Sequence, residues 1–303
     1  MNDDDPTLRR FTAEDEPERF RHRPRSVTVC VPVFNDREGI ARTIEQLALL
    51  TDGDLVDRFL VLDGGSDDGT RELAATLAAD HDRTTVHAVA DLAVEVGPVL
   101  GKGDSMWRAI GSIDTDVAVY LDADLLNVSP TMALSLAAPL VFGDDVDFTK
   151  GLFHRVTDRG DPREYDGGRV TELVARPLIN LVCPDLARCY QPLGGQIGIR
   201  TDLLRSLSVF TGFGVEIGML FDVSRRIGLD RIGEVELGDL VNSEKADSEL
   251  LPMAQQVAYT LLHRAGCGTP TWVPAMRPTF DGELREVPGA DVVERPPWVG
   301  RTD

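Results

Sequence analysis

Apolar segments typical of buried β-strands alternate along the first half of the chain with segments typical of amphipathic helices. Strands are predicted at 27–33, 58–62 and 84–89, and the first two are followed by polar turns. The central segment is 117–127, in which a run rich in β-branched and aromatic residues stops abruptly at two carboxylates. This alternation predicts an α/β domain built on a doubly wound, mostly parallel sheet.

Polar clusters follow three of the predicted strands: Asn35-Asp36, 63–68 and Asp122-Ala123-Asp124. Because doubly wound sheets bind ligands beyond the carboxyl ends of their strands, we expect these clusters to converge on one edge. Two carboxylates one residue apart are costly to hold together without a cation, and Mg²⁺ is commonly held by such carboxylates plus substrate phosphates. The pattern predicts a site for a metal-bound nucleoside diphosphate. A solvated acidic turn is the alternative interpretation.

The second half of the chain is less regular. A further strand is predicted at 147–152, and helices are predicted to begin near Gly167, at Val215 and at Ser248. A short helix is also expected after Gly101-Lys102-Gly103, with Asp104 as its N-cap.

The predicted domain boundaries follow from composition. Residues 1–25 are charged and contain three prolines, so we expect a poorly ordered arm. Residues 26–265 are expected to form the folded domain, with a nucleotide-sugar half at about 26–150 and an acceptor half at about 151–265. Proline and glycine punctuate residues 266–303, which are expected to form an irregular tail on the surface.

The balance of acidic and basic residues limits the kinds of partner that the protein could bind. The chain has 303 residues, 51 acids and 31 bases, giving a formal net charge of −20, and only three of the bases are lysines. No basic patch is visible, which argues against a nucleic-acid partner. Dispersed acidic charge with so little lysine suggests adaptation to high salt.

No signal peptide or apolar run of membrane-spanning length is present, and the four cysteines lack metal-ligand spacing, so we expect reduced thiols in a cytoplasmic protein.

Three further groups could carry chemistry. Lys102 lies in a glycine-flanked loop at a helix start, where backbone N–H groups favour anions; an exposed surface lysine is the alternative. The segment Gly167-Gly168-Arg169-Val170-Thr171 has the glycines, guanidinium and hydroxyl of an anion-binding turn, or of an ordinary helix start. Glu216 also begins a predicted helix, where an acid is favourable as a simple cap.

Several of these motifs together resemble a known family. Residues 29–35, 63–70 and the Asp-Ala-Asp motif look like an A-type glycosyltransferase of the large family-2-like group. Residues 101–108, 168–178 and 211–218 more specifically resemble the glucosyl-3-phosphoglycerate synthase family, and the resemblance extends over 27–264. It implies an A-type glycosyltransferase fold, retaining transfer of glucose from an NDP-glucose to the 2-hydroxyl of 3-phosphoglycerate, a requirement for Mg²⁺ (or Mn²⁺ or Co²⁺), and a homodimer.

The resemblance also implies roles for individual residues. The catalytic groups would be Glu216, Asp124 and Lys102. The donor would contact the residues of the first polar clusters and the lysine loop: Pro32, Asn35, Asp36, Asp63, Gly64, Lys102, Asp122, Ala123 and Asp124. The acceptor would contact Gly168, Arg169, Val170 and Thr171. The metal would be held by Asp124, Asp122 and Asn242.

Three positions depart from the family pattern. Gly64 replaces a serine of the nucleotide turn, Gln196 replaces an acid in the Gly194-Gly195-Gln196 turn, and Asn242 replaces the histidine metal ligand. An asparagine oxygen is a harder ligand that suits Mg²⁺. The alternatives left open are a related transferase with a mannose donor or another small or polyprenyl phosphate acceptor, and a non-catalytic nucleotide-sugar-binding module.

Overall fold

A computed structural model describes residues 8–156, 168–242, 247–268, 271–279 and 283–299. The elements of the first half of the chain are β1 (Arg9–Phe11), β2 (Val27–Val33), α1 (Arg37–Asp52), β3 (Arg58–Asp63), α2 (Thr70–Ala78), β4 (Thr84–Ala88), α3 (Lys102–Arg108), β5 (Val117–Tyr120) and α4 (Pro130–Phe142). Those of the second half are β6 (Phe148–Val156), α5 (Arg176–Val182), β7 (Ile197–Arg200), α6 (Thr201–Ser206), β8 (Val209–Phe210), α7 (Val215–Ile227), β9 (Ile232–Val241), α8 (Asp247–Arg264), β10 (Met276–Pro278), β11 (Leu284–Glu286) and β12 (Glu294–Arg295).

The predicted strands at 27–33, 58–62 and 84–89 correspond to β2, β3 and β4, within one residue at each end. The strand predicted at 147–152 is β6, which continues to Val156. The helix expected near Gly167 begins as a π-helical turn over Thr171–Ala175 and continues as α5. No described helix is long and apolar enough to cross a lipid bilayer.

The main sheet has eight strands within the described residues, in the order β1-β9-β6-β7-β5-β2-β3-β4. Only β7 runs antiparallel to its two neighbours, so the carboxyl ends of the other strands meet at one edge. The predicted mostly parallel, doubly wound sheet is confirmed, and the candidate residues of several strands are thereby gathered on a single rim.

Two apolar layers enclose this sheet. One layer joins Ile40, Ile44 and Leu47 of α1 to residues of α4. The other joins Trp107 and Ile110 to Val215 and Met219 on the opposite face. Strands such as β5, whose residues are all buried, therefore carry apolar side chains on both faces, which explains why they show no alternation.

The N-terminal arm differs from the prediction. β1 pairs in parallel with β9, and the ring of Phe20 is fully buried and packs edge-on against Phe142. Arg19 also forms an ion pair with the buried Glu14. The expectation of a poorly ordered arm was therefore wrong for residues 8–25, because one buried ring and a strand pairing hold a segment whose composition is otherwise polar. Residues 1–7 lie outside the described residues.

The C-terminal tail is also more integrated than expected. β12 pairs with β8, the Trp298 ring lies 5.1 Å from that of Trp107, and Trp107 Nε1 donates a hydrogen bond to the Pro296 carbonyl. Arg295 is buried and donates to Asp104. The tail is a strap that binds α3 from outside, not only an irregular surface extension.

Candidate active site

The Asp122-Ala123-Asp124 motif begins two residues beyond the end of β5, on the common rim of the sheet. Asp122 accepts a hydrogen bond on Oδ2 from Gln196 Nε2 at 3.0 Å. Gly195 packs so tightly under it that an added Cβ would lie 2.4 Å from the carboxylate oxygens. The glycine turn at 194–196, flagged by its departure from the family pattern, is therefore the support of the first aspartate.

Lys102 joins Asp122 to Glu216. Its ammonium donates to Asp122 Oδ1, and to Glu216 Oε1 at 2.5 Å. Burial alone would lower the pKa of Lys102, but the two carboxylates outweigh burial and raise the pKa above its ordinary range. The lysine is therefore a permanent cation shared by two acids, and the alternative of an exposed surface lysine is wrong.

Close backbone packing brings Lys102 and Glu216 together. Gly212 N donates to Leu100 O at 2.9 Å, and an added Cβ on Gly103 would lie 2.0 Å from Phe210 O. The turn before α7 is fixed in addition by Gln256, whose Oε1 accepts from Phe213 N at 2.7 Å. Glycines in both loops are thus what allows the start of α3 to touch the start of α7.

The expected N-cap of α3 was wrong. Gly101 is the N-cap residue, and Asp104 lies inside the helix, where Oδ2 accepts from Leu100 N at 2.9 Å. The same buried carboxylate pairs with Arg108 and Arg295. Asp104 therefore anchors α3 to the tail.

Asp124 faces the end of β9. Its Oδ1 accepts from Asn242 Nδ2 at 3.2 Å, and Asn242 Oδ1 accepts from Arg155 Nη1 at 2.7 Å. Because a guanidinium can only donate, Arg155 fixes the amide with its NH₂ group toward Asp124. The oxygen of Asn242 could face a cation on Asp124 only after the amide turned and released Arg155.

The nucleotide-side residues form a linked pair of turns. Asn35, at a φ of 49°, exchanges two 2.9 Å hydrogen bonds with Asp67, while Asp36 caps α1 by accepting from Gly39 N. Asp63 is fully buried and accepts from Gly65 N at 3.2 Å. Pro32 and Gly64 lie at the same strand ends, where Gly64 N donates to Val33 O, and Ala123 is buried on the rim beside them.

The predicted acceptor turn is only partly described, since Gly167 lies outside the described residues. Gly168 has a φ of 77°, Thr171 is buried, Val170 packs against the core and the Arg169 side chain is exposed. A Cβ added at Gly168 would lie 3.9 Å from Arg155 Nε. Through Arg155 and Asn242 this turn adjoins Asp124.

The residues that could hold a cation are oxygen donors. Both oxygens of Asp122 accept hydrogen bonds, from Lys102 and Gln196, and Asp124 accepts from Asn242, so a cation that binds either carboxylate must share or replace these contacts. Within the described parts of the chain, no three His, Cys, Asp or Glu side chains cluster as a metal site. The donor set fits a hard ion that completes its coordination with phosphate oxygens and water, as Mg²⁺ does.

Sequence reasoning missed Lys150 and Arg155 as site residues. Lys150 is buried beneath the glycine turn, where its ammonium donates to Gly194 O at 2.6 Å and burial lowers its pKa. The scarcity of lysine was a usable signal, because Lys102 and Lys150 both lie here. The sequence did not mark Arg155 as a site residue, because arginine is common in this chain.

Comparison with known proteins gives three consistent findings. The sequence model of glycosyl transferase family 2 matches residues 28–166. Glucosyl-3-phosphoglycerate synthase of Mycolicibacterium paratuberculosis is 38% identical over 250 residues, covering 81% of this chain and 74% of the relative. The enzyme of the same name from Mycobacterium tuberculosis is 36% identical over 282 residues, covering 90% and 85%.

Solved structures agree. The crystal structure of the Mycobacterium tuberculosis synthase in complex with Mn²⁺, UDP and phosphoglyceric acid aligns with a TM-score of 0.81 at 33% identity, covering 96% of this chain and 98% of that one. A second crystal structure of that synthase, with Mn²⁺, UDP-glucose and phosphoglyceric acid, aligns with a TM-score of 0.81 at 34% identity and the same coverage. Another structure of that synthase holds Mg²⁺ and UDP.

Proposed function

This chain belongs to the glucosyl-3-phosphoglycerate synthase family, and from that membership we propose that it transfers glucose from UDP-glucose to the 2-hydroxyl of 3-phosphoglycerate with retention of anomeric configuration. The observation that best supports a catalytic site, as opposed to a binding module, is the contact of Lys102 with both Asp122 and Glu216. A cation and two acids from three distant segments meet at the rim where the sheet receives ligands.

The donor side of the reaction depends on three charged residues. Asp124 would hold a divalent cation, which supplies charge neutralisation for the diphosphate as the bond from glucose C1 to the phosphate oxygen breaks. Lys102, whose raised pKa keeps it protonated, supplies a second positive charge beside the leaving group. Asp122, held by Gln196, orients Lys102 and would contact the ribose of the nucleotide.

The acceptor side depends on Glu216 and on the turn at 168–171. Backbone N–H groups, the Arg169 guanidinium and the Thr171 hydroxyl would bind the acceptor phosphate. Glu216 would orient the acceptor hydroxyl and stabilise positive charge that develops on the sugar. The products are glucosyl-3-phosphoglycerate, UDP and the proton of the hydroxyl.

A donor screen tests this function. UDP-, GDP- and ADP-glucose and GDP-mannose are each incubated with 3-phosphoglycerate and Mg²⁺, and products are read by mass spectrometry. We expect a hexosyl-phosphoglycerate ion from UDP-glucose that disappears with EDTA. Hexose transfer only from GDP-mannose would favour the mannose alternative, and no transfer from any donor would favour a binding module.

The remaining expectations are further proposals. We propose a homodimer, for which Leu173 and Leu181, exposed by 75% and 79%, offer an apolar contact; a monomer mass in light scattering would contradict it. We also propose that the enzyme works in the cytoplasm of a salt-adapted cell, where its product is a precursor of a compatible solute. Cell fractionation and extraction of solutes from salt-grown cells test these two points.

A further inference from the structure

We infer that Gln256 is a positioning residue for catalysis, which holds the turn before α7 against the C-terminal tail and thereby sets Glu216 in place beside Lys102. The inference rests on the proposed function, in which Glu216 acts at the reacting hydroxyl. It starts from two hydrogen bonds made by one buried side chain. Gln256 lies in α8 and is 1% exposed, and its amide sits between the turn at 212–214 and residue 290 of the tail.

The Gln256 amide makes a hydrogen bond at each end. Its Oε1 accepts from Phe213 N at 2.7 Å, and its Nε2 donates to Ala290 O at 3.0 Å. Because a backbone N–H can only donate and a carbonyl oxygen can only accept, these two partners fix the orientation of the amide. A side chain that accepts at one atom and donates at the other is therefore required between the turn and the tail.

Close packing leaves the turn little space on the side that faces α8. A Cβ added to Gly212 would lie 2.3 Å from Gln256 Oε1, and a Cβ added to Gly214 would lie 2.1 Å from Thr260 Oγ1. The backbone of the turn therefore rests directly on α8. Since α7 begins at Val215, immediately after this turn, the position of its first residues depends on how the turn sits on Gln256.

The same turn also contacts the loop that carries Lys102. Gly212 N donates to Leu100 O at 2.9 Å, and the amide of the following residue donates to Gln256. Successive amides thus tie the turn to the start of α3 on one side and to α8 on the other. A shift of the turn on α8 would change the contact between Glu216 and Lys102.

The tail supports the turn from the preceding residue. Thr211 N donates to Val293 O, and Thr211 Oγ1 donates to Asp291 O, each at 2.9 Å. The bond from Gln256 to Ala290 ties the same stretch of tail to α8. Gln256 therefore joins the turn, the tail and α8 at one point, behind the two charged residues on which the proposed reaction depends.

The experiment uses two neighbouring glutamines of α8 that have different partners. In Gln256→Glu, the ionised carboxylate can accept from Phe213 N but places an oxygen against the Ala290 carbonyl, whereas the protonated acid can donate to that carbonyl and restore both bonds. The substitution therefore removes one hydrogen bond reversibly with pH. Gln255→Glu is the matched control, because it adds the same charge one residue away and the Gln255 side chain donates to Val273 O instead.

The values of kcat and of both KM are measured from pH 5 to pH 8. Burial raises the pKa of a carboxyl above its ordinary value of about 4.3, which brings the ionisation in Gln256→Glu into this range. We expect the kcat of this variant, divided by that of wild type, to fall by about 10-fold or more between pH 5 and pH 8, because misplacing a catalytic group can cost about 100-fold. Both KM values should stay within about threefold of wild type, since the inference places Gln256 on neither substrate. The kcat ratio of Gln255→Glu should not change with pH.

A kcat ratio for Gln256→Glu that is constant with pH, or that follows the ratio of Gln255→Glu, would overturn the inference and leave Gln256 a purely structural role. Calorimetric titration with UDP and Mg²⁺ counts the folded sites in each preparation, so that unfolded protein is not scored as a lower kcat. If Gln256→Glu fails to fold, Gln256→Met decides the matter. It should lower kcat by about 10-fold or more at every pH with both KM values unchanged, and a wild-type kcat would overturn the inference. Failure of the proposed function is separable, since wild-type enzyme would then form no hexosyl-phosphoglycerate from 3-phosphoglycerate.

Discussion

At the scale of single residues, the site is a set of charges that hold one another in place. Lys102 is bound by Asp122 and Glu216, Asp122 by Gln196, and Asp124 by Asn242. Each acid therefore has a partner before any ligand arrives, which lowers the cost of keeping several carboxylates on one rim. Ligand binding must replace some of these contacts, so the two aspartates are expected to respond differently to mutation.

Asp124→Asn should abolish metal-dependent turnover, with a loss of about 10³-fold or more, because a divalent ion supplies several kcal/mol of charge stabilisation. Turnover with Mg²⁺ and binding of Mn²⁺ in the presence of UDP, followed by electron paramagnetic resonance, measure the effect. The thermal midpoint should stay near that of the wild type, since Asn keeps the shape of the side chain. Normal Mn²⁺ binding by the variant would remove Asp124 from the metal site.

Arg169→Ala should raise the KM for 3-phosphoglycerate by about 10- to 100-fold and leave the KM for UDP-glucose unchanged, since one charge-assisted contact to phosphate is lost. Arg71→Ala, which removes an exposed arginine of α2, is the matched control. This variant should weaken the binding of 3-phosphoglycerate and of glycerol 3-phosphate alike, because both compounds carry the phosphate. A KM that does not move would place the acceptor phosphate elsewhere.

Some of these residues could be predicted from the sequence and some could not. The positions that could be predicted lie just after a strand or at the start of a helix, and the local pattern of apolar and polar residues marks such places. They are Asp122, Asp124, Lys102 and Glu216. The partners of those residues are set by the tertiary fold: Asn242 reaches Asp124 because the segment after β5 crosses to the end of β9, where Leu125 forms an isolated β-bridge with Asn242. Long-range pairings of this kind leave no local periodicity.

At the scale of elements, α3 depends on the C-terminal tail. The helix begins at Lys102 and is fixed by Asp104, which accepts hydrogen bonds from Arg108 and from Arg295 of β12. Trp298 packs against Trp107 of the same helix. The prediction of a surface tail was wrong at these positions. A high content of proline and glycine indicates that a segment lacks regular helices and strands, but it does not indicate whether the segment packs against the domain. One buried arginine and one tryptophan are enough to hold this tail on α3.

Arg295→Met should destabilise the fold by about 3 kcal/mol, because removing one partner of a buried ion pair leaves charge without compensation. It should also lower kcat, since the start of α3 carries Lys102. Urea unfolding and steady-state kinetics measure the two effects. Arg285→Met, which breaks an exposed pair with Glu283 in the same tail, should change stability by less than about 0.5 kcal/mol. Equal effects of the two substitutions would show that the tail does not support α3.

Helices α7 and α8 meet at a group that makes stability depend on pH. Burial raises the pKa of Asp222 to about 6 from 3.8, although Arg264 forms an ion pair with it. Arg264 also pairs with Glu294, so its charge is divided between two acids. The folded state holds the proton of the Asp222 carboxyl more tightly than the unfolded state does. The contribution of Asp222 to the free energy of unfolding is therefore greatest below about pH 4 and falls as the pH rises to about 6.

Asp222→Asn should remove this pH dependence. Relative to wild type, the variant should gain up to about 3 kcal/mol of unfolding free energy between pH 4 and pH 7, since one pKa unit corresponds to about 1.36 kcal/mol. Urea unfolding of both proteins at pH 4, 5, 6 and 7 measures the difference. A difference that stays constant over this range would mean that Asp222 titrates normally in the folded state.

At the scale of the whole molecule, the sheet explains why residues separated by more than a hundred positions share one rim. Seven of the eight strands in the described sheet run in the same direction, so their carboxyl ends and the loops that follow them lie together. The parallel direction of most strands could be predicted from the alternation of strands and helices in the sequence. The single antiparallel strand, β7, could not be predicted in this way, although the residue before it, Gln196, contacts Asp122.

The net charge of −20 concerns the molecule as a whole, and it leads to a prediction about salt. Two effects oppose each other: salt screens the repulsion among excess acids, which stabilises the fold, and weakens exposed ion pairs such as Arg58–Asp114, which destabilises it. Exposed pairs are worth at most about 1 kcal/mol each, whereas 51 acids face only 31 bases, so the repulsion term decides the sign.

The thermal midpoint should therefore rise between about 0.1 and 2 M KCl, over which the Debye length falls from about 10 Å to less than 3 Å. Differential scanning calorimetry at several KCl concentrations measures the midpoint, and sucrose at equal osmolality controls for effects unrelated to charge. Most of the rise should be complete by about 1 M KCl, where screening at the spacing of surface charges saturates. A midpoint that is unchanged or lower in molar KCl would show that the acidic surface is not an adaptation to salt.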